Sequence, residues 1–299
     1  MSGIIYPMSK NVFSDSDVRN RKPDNPQEML KSNFYFSGLL AAEMSCSIIK
    51  ATNKHPKGYY FALDLTVTNA DEELLAEVNK VVMNSRGILT PVKGAYNLSA
   101  RGKDKVRQTL NFLNRYPILV GDLAKNRIIL LETALVYLDK YRTHQFQKDK
   151  NAEMGRLRRR LRDIKEKEIV DVRFPLPKVD RESLGYFFAG VIDGEGSFGT
   201  KSSGLAQEPF FAIAMKDRKI IELLKEFVGY GNVRLRKDGV CHLEINSRDI
   251  LKKVCGMFIN QYPLRHKGQK NRLLKLQQLL NDHTPRSLGA DALKEYDMV

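Results

Sequence analysis

Two carboxylates, Asp193 and Glu195, close an apolar segment whose residue types suit metal chemistry. Residues 186–198 read Y-F-F-A-G-V-I-D-G-E-G-S-F, with small and apolar residues before the acids and a Gly-Ser pair after them. Carboxylate oxygens are ligands that Mg²⁺ prefers, and Mg²⁺ usually takes one or two of them together with phosphate and water. The segment therefore predicts a helix whose end delivers a carboxylate to a divalent metal.

The glycines of this segment indicate that the helix packs closely against another element. Each helical glycine costs about 1 kcal/mol relative to alanine, so Gly190 and Gly194 need a compensating contact. A residue without a side chain allows a second backbone to come near. We expect the end of the helix to lie at a seam between two packed units.

A weaker copy of the segment lies earlier in the chain. Residues 35–47 read Y-F-S-G-L-L-A-A-E-M-S-C-S, which aligns Gly38 with Gly190 and Glu43 with Glu195. Two more matches follow in the same order, Tyr-Pro at 116–117 and 262–263 and Lys-Asn-Arg at 125–127 and 270–272. Self-similarity at a nearly fixed offset indicates duplication. We predict two homologous half-domains that each contribute one carboxylate to a shared seam.

Composition narrows the range of partners. The chain has 299 residues, 42% of them hydrophobic, so it is expected to be globular. Its net charge of +15 points to nucleic acid, an anionic membrane or an acidic protein. The three cysteines have no zinc-like spacing, which favours a reducing compartment without disulfides. No apolar run is long enough to span a bilayer. We therefore expect an intracellular protein, and an organelle (mitochondrion or chloroplast) and a bacterial cytoplasm both stay open.

Each half predicts the same α+β order, αββαββα. Leu63, Leu65 and Val67 alternate with polar residues, as in a half-buried strand. Asp71 and Asp217 are expected to cap the helices that follow them, and the Asp-Gly pair at 238–239 predicts a type I′ hairpin. We expect an N-terminal arm at 1–30, half-domains at 31–145 and 181–285, a basic linker at 146–180 and a C-terminal tail at 286–299.

The linker predicts an amphipathic basic helix. Residues 155–163 read G-R-L-R-R-R-L-R-D, and Leu157, Leu161 and Ile164 recur at helical spacing. Two interpretations stay open, a solvated connecting helix and a clamp on a phosphate backbone through Arg158, Arg159 and Arg160. Membrane-surface binding by residues 156–162 would explain the charge but not the duplicated motif, so no membrane partner is expected.

The two motifs resemble the signature of the LAGLIDADG homing endonucleases, with residues 188–196 aligned on its nine letters and residues 36–44 as a diverged copy. The double-motif, monomeric branch of the family is the most similar. The resemblance implies two four-stranded antiparallel sheets that form a saddle over double-stranded DNA. It also implies hydrolysis of both strands of a long target site, assisted by Mg²⁺ or another divalent cation.

The resemblance assigns roles to individual residues. Glu43 and Glu195 would be the catalytic metal ligands, and a lysine beside each attacking water would be catalytic, with Lys267 in the second half and Lys125 in the first. Lys216 is a further candidate for that lysine. Asp193 is expected to cap or form a salt bridge rather than bind metal. Met44 replaces the glycine that follows the carboxylate in the second copy, and at a tight seam it would displace Glu43 or alter the metal geometry.

The sheets are expected to read the target, because an antiparallel ribbon can enter the major groove. The candidate DNA-binding residues are Lys50, Thr66, Thr68, Lys201, Lys216, Arg234, Arg236 and His242. A register error of one residue would move any of them to the core.

Two functions compete on this fold. The first is a site-specific, intron-encoded homing endonuclease, since no splicing block flanks the motifs as it would in an intein. The alternative is a non-cleaving nucleic-acid-binding protein, such as an intron RNA maturase or a degenerate regulator. DNA cleavage in Mg²⁺ distinguishes the two.

Overall fold

The structure is a computed structural model and describes residues 31–52, 59–140, 147–203 and 206–282. The predicted arm at 1–30 and the predicted tail at 286–299 lie outside the described residues. No helix within the described ranges is both long and apolar enough to cross a membrane.

The first half begins with a 3₁₀ turn at Lys31–Asn33. It continues with α1 (Phe34–Glu43), β1 (Met44–Thr52), β2 (Tyr59–Asn69), α2 (Glu72–Val81), β3 (Ile88–Val92), β4 (Ala95–Arg101), α3 (Lys103–Arg115) and α4 (Asp122–Lys140). Helix α5 (Gln147–Lys167) connects the halves. The second half comprises α6 (Arg181–Glu195), β5 (Gly196–Ser203), β6 (Ala206–Met215), α7 (Arg218–Val228), β7 (Asn232–Leu235), β8 (Cys241–Ile245), α8 (Arg248–Gly256) with a π turn at Met257–Gln261, and α9 (Lys267–Asp282).

Each half contains one four-stranded antiparallel sheet. The strand orders are β1-β2-β4-β3 and β5-β6-β8-β7, so the two halves have the same topology. Alternate residues, such as Leu63, Leu65 and Val67 in β2, are fully buried under the helices. The residues between them form the side of each sheet turned away from the helices, which we call the open face. The predicted α+β fold with two four-stranded antiparallel sheets is confirmed.

The two motif helices, α1 and α6, pack against each other along their glycines. A Cβ atom at Gly38 would overlap the carbonyl oxygen of Phe187, and one at Gly190 would overlap that of Tyr35. The aromatic side chains at 35, 36, 187 and 188 are buried beside this contact. Burial of such large side chains contributes about 1.5–3 kcal/mol each, which offsets the helical cost of the glycines. The predicted close contact at the seam is therefore present.

Two local predictions need correction. Asp71 caps α2 by accepting a hydrogen bond from Leu74 N at 3.1 Å, as expected. Asp217 forms no such bond to α7 within the described residues, and instead its Oδ2 accepts from Leu123 N of α4 at 2.9 Å. The β7–β8 hairpin exists, but it is not type I′, because Gly239 has a positive φ of 82° and Asp238 does not. Its turn closes through Gly239 N, which donates to Arg236 O at 3.1 Å.

Helix α5 confirms the amphipathic pattern predicted for the linker. Its apolar side buries Met154, Leu157, Leu161 and Ile164 against the first half, where the helix contacts α4 and β1. Next to the apolar side lie the exposed side chains of Arg158, Arg162 and Lys165, spaced so that they share one stripe. We call these three residues the basic stripe.

Candidate active site

The two predicted metal ligands lie where the motif helices end at the seam. Glu43 is the last residue of α1 and Glu195 the last residue of α6, and each is followed at once by the first strand of its sheet. A Cβ atom at Gly194 would lie 3.1 Å from Glu43 Cγ, so Gly194 allows the first carboxylate to approach the end of the second helix. The structure thus brings together the two carboxylates that the duplicated motif predicts.

The electrostatic surroundings of this pair disfavour two uncompensated negative charges. Burial and the nearby charge of Glu195 raise the pKa of Glu43 to about 7, against the lowering effect of a hydrogen bond from Asn69. Burial also raises the pKa of Glu195, although the residue as a whole is exposed. A cation between the carboxylates would remove both penalties.

The donor set fits a metal that takes most of its ligands from outside the protein. In the described part of the chain, no group of three or more His, Cys, Asp or Glu side chains could hold an ion by itself. Two carboxylates with phosphate and water are the arrangement that Mg²⁺ commonly uses. Glu43 and Glu195 would hold such an ion.

Asn69 orients the first carboxylate, and the sequence interpretation missed it. Its Nδ2 donates to Glu43 Oε1 at 3.3 Å, while its Oδ1 accepts from Asp71 N at 2.9 Å. The second bond fixes which end of the amide faces the glutamate. The available signal was its place at the end of the second strand, two residues before the capping Asp71.

Asp193 has the capping role that was expected. It is 1% exposed, and its Oδ2 accepts from Tyr35 Oη at 2.6 Å, Arg265 N at 2.6 Å and His266 N at 3.0 Å. Burial raises its pKa to about 6, against the lowering effect of these bonds. Asp193 therefore ties the other motif helix and the loop before α9 to the seam.

The start of α9 contacts the capping residue of α2 in the first half and the residue after Glu195 in the second half. Lys267 N donates to Asp71 Oδ2 at 2.6 Å, and Gln269 Nε2 donates to the carbonyl oxygen of Gly196, directly after Glu195, at 2.5 Å. The side chain of Lys267 is exposed at this place. Its predicted catalytic role stays a prediction, and the backbone position is compatible with it.

Lys125, the predicted catalytic lysine of the first half, has its ammonium group in contact with the fold, and its catalytic role stays a prediction. Its Nζ donates to the carbonyl oxygen of Leu119 at 2.8 Å and lies 5.1 Å from the centre of the Phe174 ring. Burial lowers its pKa. The Lys-Asn-Arg match put Lys125 on the correct helix, but the ammonium group is used inside the fold.

A cavity of about 240 Å³ opens beside Glu195. Three cations, Arg127, Lys165 and Lys216, line it together with two carboxylates, Glu195 and Asp217. Lys216 Nζ forms a salt bridge with Glu168 at 2.7 Å. Arg127, which the sequence interpretation had not assigned to the site, also donates from Nη1 to the carbonyl oxygen of Met44 at 3.0 Å.

Met44 does not occupy the seam as expected. The residue is 2% exposed and belongs to the hydrophobic core, on the same side of β1 as Cys46 and Ile48. The strand begins at Met44, and the alternation of the strand turns its side chain under the sheet. The departure from the motif is thus accommodated in the core of the first half.

Most of the predicted DNA-binding residues share the open faces. Those in the first sheet are Thr66 and Thr68, and those in or next to the second sheet are Lys201, Lys216, Arg234, Arg236 and His242. Lys50 is the exception, because alternation along β1 places it on the side of Met44, Cys46 and Ile48. There its Nζ lies 3.7 Å from the centre of the Tyr59 ring. Lys50 therefore does not lie on the open face, and its predicted DNA contact stays a prediction.

Comparison with known proteins agrees with this architecture. Residues 188–278 match the model of the LAGLIDADG endonuclease family. No curated protein matches the sequence. Among solved structures, the homing endonuclease I-LtrWI bound to target DNA has a TM-score of 0.71 at 17% identity, covering 89% of this chain and 95% of that one. I-GzeII in complex with its DNA target has a TM-score of 0.70 at 16% identity, covering 88% and 94%.

A third similar structure is I-SmaMI bound to uncleaved DNA in the presence of calcium ions, with a TM-score of 0.69 at 16% identity, covering 88% and 95%. At these identities the likeness establishes a shared fold. The shared features are two four-stranded sheets joined by paired motif helices. The match to the family model covers the second motif and most of the second half, and the fold of the described chain is the one that the LAGLIDADG homing endonucleases have.

Proposed function

We propose that the protein is a site-specific homing endonuclease that makes a metal-dependent double-strand break in a long DNA target. One observation carries the proposal: two paired helices end in Glu43 and Glu195 at a single seam between two sheets. Two carboxylates at a seam between two sheets suit cleavage of the two strands of a duplex, one near each carboxylate. A bound divalent cation would supply an activated water and stabilise the leaving oxygen.

The residues around the carboxylates have supporting roles in this proposal. Asn69 fixes the orientation of Glu43, and Asp193 holds the loop that leads to Lys267. Lys267 would exchange a proton with the water that attacks the phosphate, and Lys216 would contact the phosphate near Glu195. One chain supplies both carboxylates, so we propose that a monomer is sufficient.

Cleavage of DNA tests the proposal directly. The protein is incubated with a library of randomised duplex targets in plasmids, in Mg²⁺, and linearised plasmids are sequenced across the break. We expect one family of targets, cut on both strands. Salt-sensitive binding without any nicking would instead support the non-cleaving alternative, an intron RNA maturase or a degenerate regulator.

Cleavage should depend on pH through Glu43. Its pKa of about 7 means that the carboxyl is protonated, and unable to hold a metal, below that value. With Mg²⁺ below saturation, we expect the rate to fall about tenfold for each pH unit below 7 and to level off above it, as the loss of one proton requires. Single-turnover rates between pH 5 and 9 measure this.

Asn69→Leu serves as the matched variant for the pH profile. The hydrogen bond from Asn69 lowers the pKa of Glu43, so its removal should move the midpoint of the profile to higher pH. A rate independent of pH between 5 and 8 would show that Glu43 does not bind the metal.

The basic stripe of α5 should contribute to DNA binding through phosphate contacts. Each neutralised phosphate adds about −0.9 to the slope of log K against log salt. We expect the wild-type slope to be steeper than about −4, and the triple replacement of Arg158, Arg162 and Lys165 by glutamine to reduce it by about 2–3. Affinity for specific and random duplexes should fall alike. Arg160 is left out, because it is paired with Asp171.

A second triple variant on the same helix controls for the loss of charge. Arg156, Arg160 and Lys167 pair with Glu153, Asp171 and Asp163. Their replacement by glutamine changes the net charge equally but should change the slope less. Equal slopes for the two triple variants would show that α5 does not contact the phosphates and is a solvated connecting helix.

A further inference from the structure

The open faces of the two sheets differ in the residues nearest the carboxylates. These residues lie side by side on neighbouring strands, and we call each such set a row. In the first sheet the register places Ser45, Thr66 and Ser99 side by side. In the second sheet the equivalent row is Ser197, Ala212 and Glu244. Both rows begin two residues after the helix-end glutamate, so they occupy equivalent places. The second half has an acidic side chain where the first half has a serine.

Two cations hold Glu244 in place. Lys201 Nζ lies 2.6 Å from Glu244 Oε1, and Arg234 Nη2 lies 3.7 Å from Oε2. The hydrogen bond from Lys201 lowers the pKa of the Glu244 carboxyl, so the group is ionised at neutral pH. The side chain of Glu244 is 19% exposed, between a Lys201 side chain at 42% and an Arg234 side chain at 67%. The carboxylate is therefore charged, oriented and accessible from the open face.

Stability does not explain an acid at this position. Ion pairs near the surface contribute little to folding. A carboxylate on a face that meets DNA also repels the phosphates that the neighbouring cations attract. Its useful chemistry in the major groove is to accept a hydrogen bond from the N4 amine of cytosine. Ala212, the neighbour in the same row, is short and leaves room for a base edge.

We propose that Glu244 selects a cytosine in the part of the DNA target bound by the second sheet. Lys201 and Arg234 neutralise the carboxylate and keep it in one orientation. This inference rests on the proposed function, because it requires that the open face meets DNA. It adds an acidic residue that selects a base to the candidate DNA-binding residues, which are otherwise basic or carry a hydroxyl group.

Selection from a random duplex library in Ca²⁺ tests the inference, with wild-type protein and Glu244→Gln compared position by position. We expect the wild type to prefer cytosine at one position by about tenfold over other bases. The glutamine variant should lose that preference and shift toward adenine, which a glutamine binds through N6 and N7. Preferences at all other positions should stay the same.

Glu222→Gln is the matched control. It removes the same charge from a carboxylate that pairs with Arg218 on α7, at 2.6 Å, and its base preferences should equal those of the wild type. An unchanged profile for Glu244→Gln would overturn the inference and leave the proposed function intact. A uniform loss of affinity for every sequence would overturn it too, by showing that Glu244 only supports the sheet. A wild type that enriches no sequence would overturn the proposed function itself.

Discussion

Glu195→Gln is expected to lower the rate of DNA cleavage at least about 1,000-fold while leaving DNA affinity in Ca²⁺ within about threefold of the wild type. Metal stabilisation of the transition state is worth several kcal/mol, and each 1.36 kcal/mol is a factor of ten in rate. The amide keeps the size of the side chain but removes its charge. Single-turnover cleavage and equilibrium binding of the same duplex separate the two effects.

Glu43→Gln should have an effect of the same size, because both carboxylates meet at the seam. If the two carboxylates share their metals, either variant should lower the cleavage rate of both DNA strands. If they do not, each variant should lower the cleavage rate of one strand more than that of the other. Supercoiled plasmid reports the difference as nicked or linear product. A Glu43→Gln protein that cuts at the wild-type rate would show that Glu195 works with other ligands.

Glu182→Gln is the control on the same helix. Glu182 lies in the first turn of α6, at the end opposite Glu195, and forms an exposed ion pair with Lys31 at 2.7 Å. Its replacement should leave both cleavage and binding unchanged. If Glu195→Gln also cut at the wild-type rate, the assignment of the site would be wrong.

The duplicated motif was sufficient to predict that Glu43 and Glu195 lie at one seam, because a local pattern repeats at an almost fixed spacing. The order of elements and the seam follow from that repeat and from the alternation of apolar residues, whereas the two four-stranded sheets were expected from the family resemblance. Asp193 was also placed correctly, since a helix would not direct residues 193 and 195 to the same side.

Three side chains have positions that their local sequence pattern does not reveal. Asp217 stands directly before α7, where an aspartate commonly caps a helix, yet its carboxylate accepts a hydrogen bond from Leu123 N in the other half. Lys125 has the residue type of a catalytic lysine, yet a carbonyl oxygen and Phe174 hold its ammonium group. Lys50 shows the effect of strand register, where a shift of one residue changes the face. Contacts of this kind depend on tertiary packing that neither spacing nor composition encodes.

Gly190→Ala is expected to destabilise the fold by about 3 kcal/mol or more, although alanine has the higher helix propensity. The added methyl group would meet the carbonyl oxygen of Tyr35 and lie near Leu39 N, which are backbone atoms that cannot rotate away. To remove this overlap, α1 and α6 must move apart. The helix ends that carry Glu43 and Glu195 would then move apart too. Urea unfolding monitored by circular dichroism gives the change in free energy.

Gly155→Ala is the matched control for this prediction. Gly155 also lies within a helix, α5, but a Cβ there would meet only Arg159 Nη1, at 3.9 Å. The substitution should therefore stabilise the protein by about 0.5–1 kcal/mol, which is the intrinsic preference for alanine. The two substitutions are thus expected to change the free energy of unfolding in opposite directions. This difference distinguishes a steric clash at the seam from an effect of helix propensity. A Gly190→Ala protein as stable as the wild type would mean that the helices are not in backbone contact. The close approach of the two carboxylates would then need another cause.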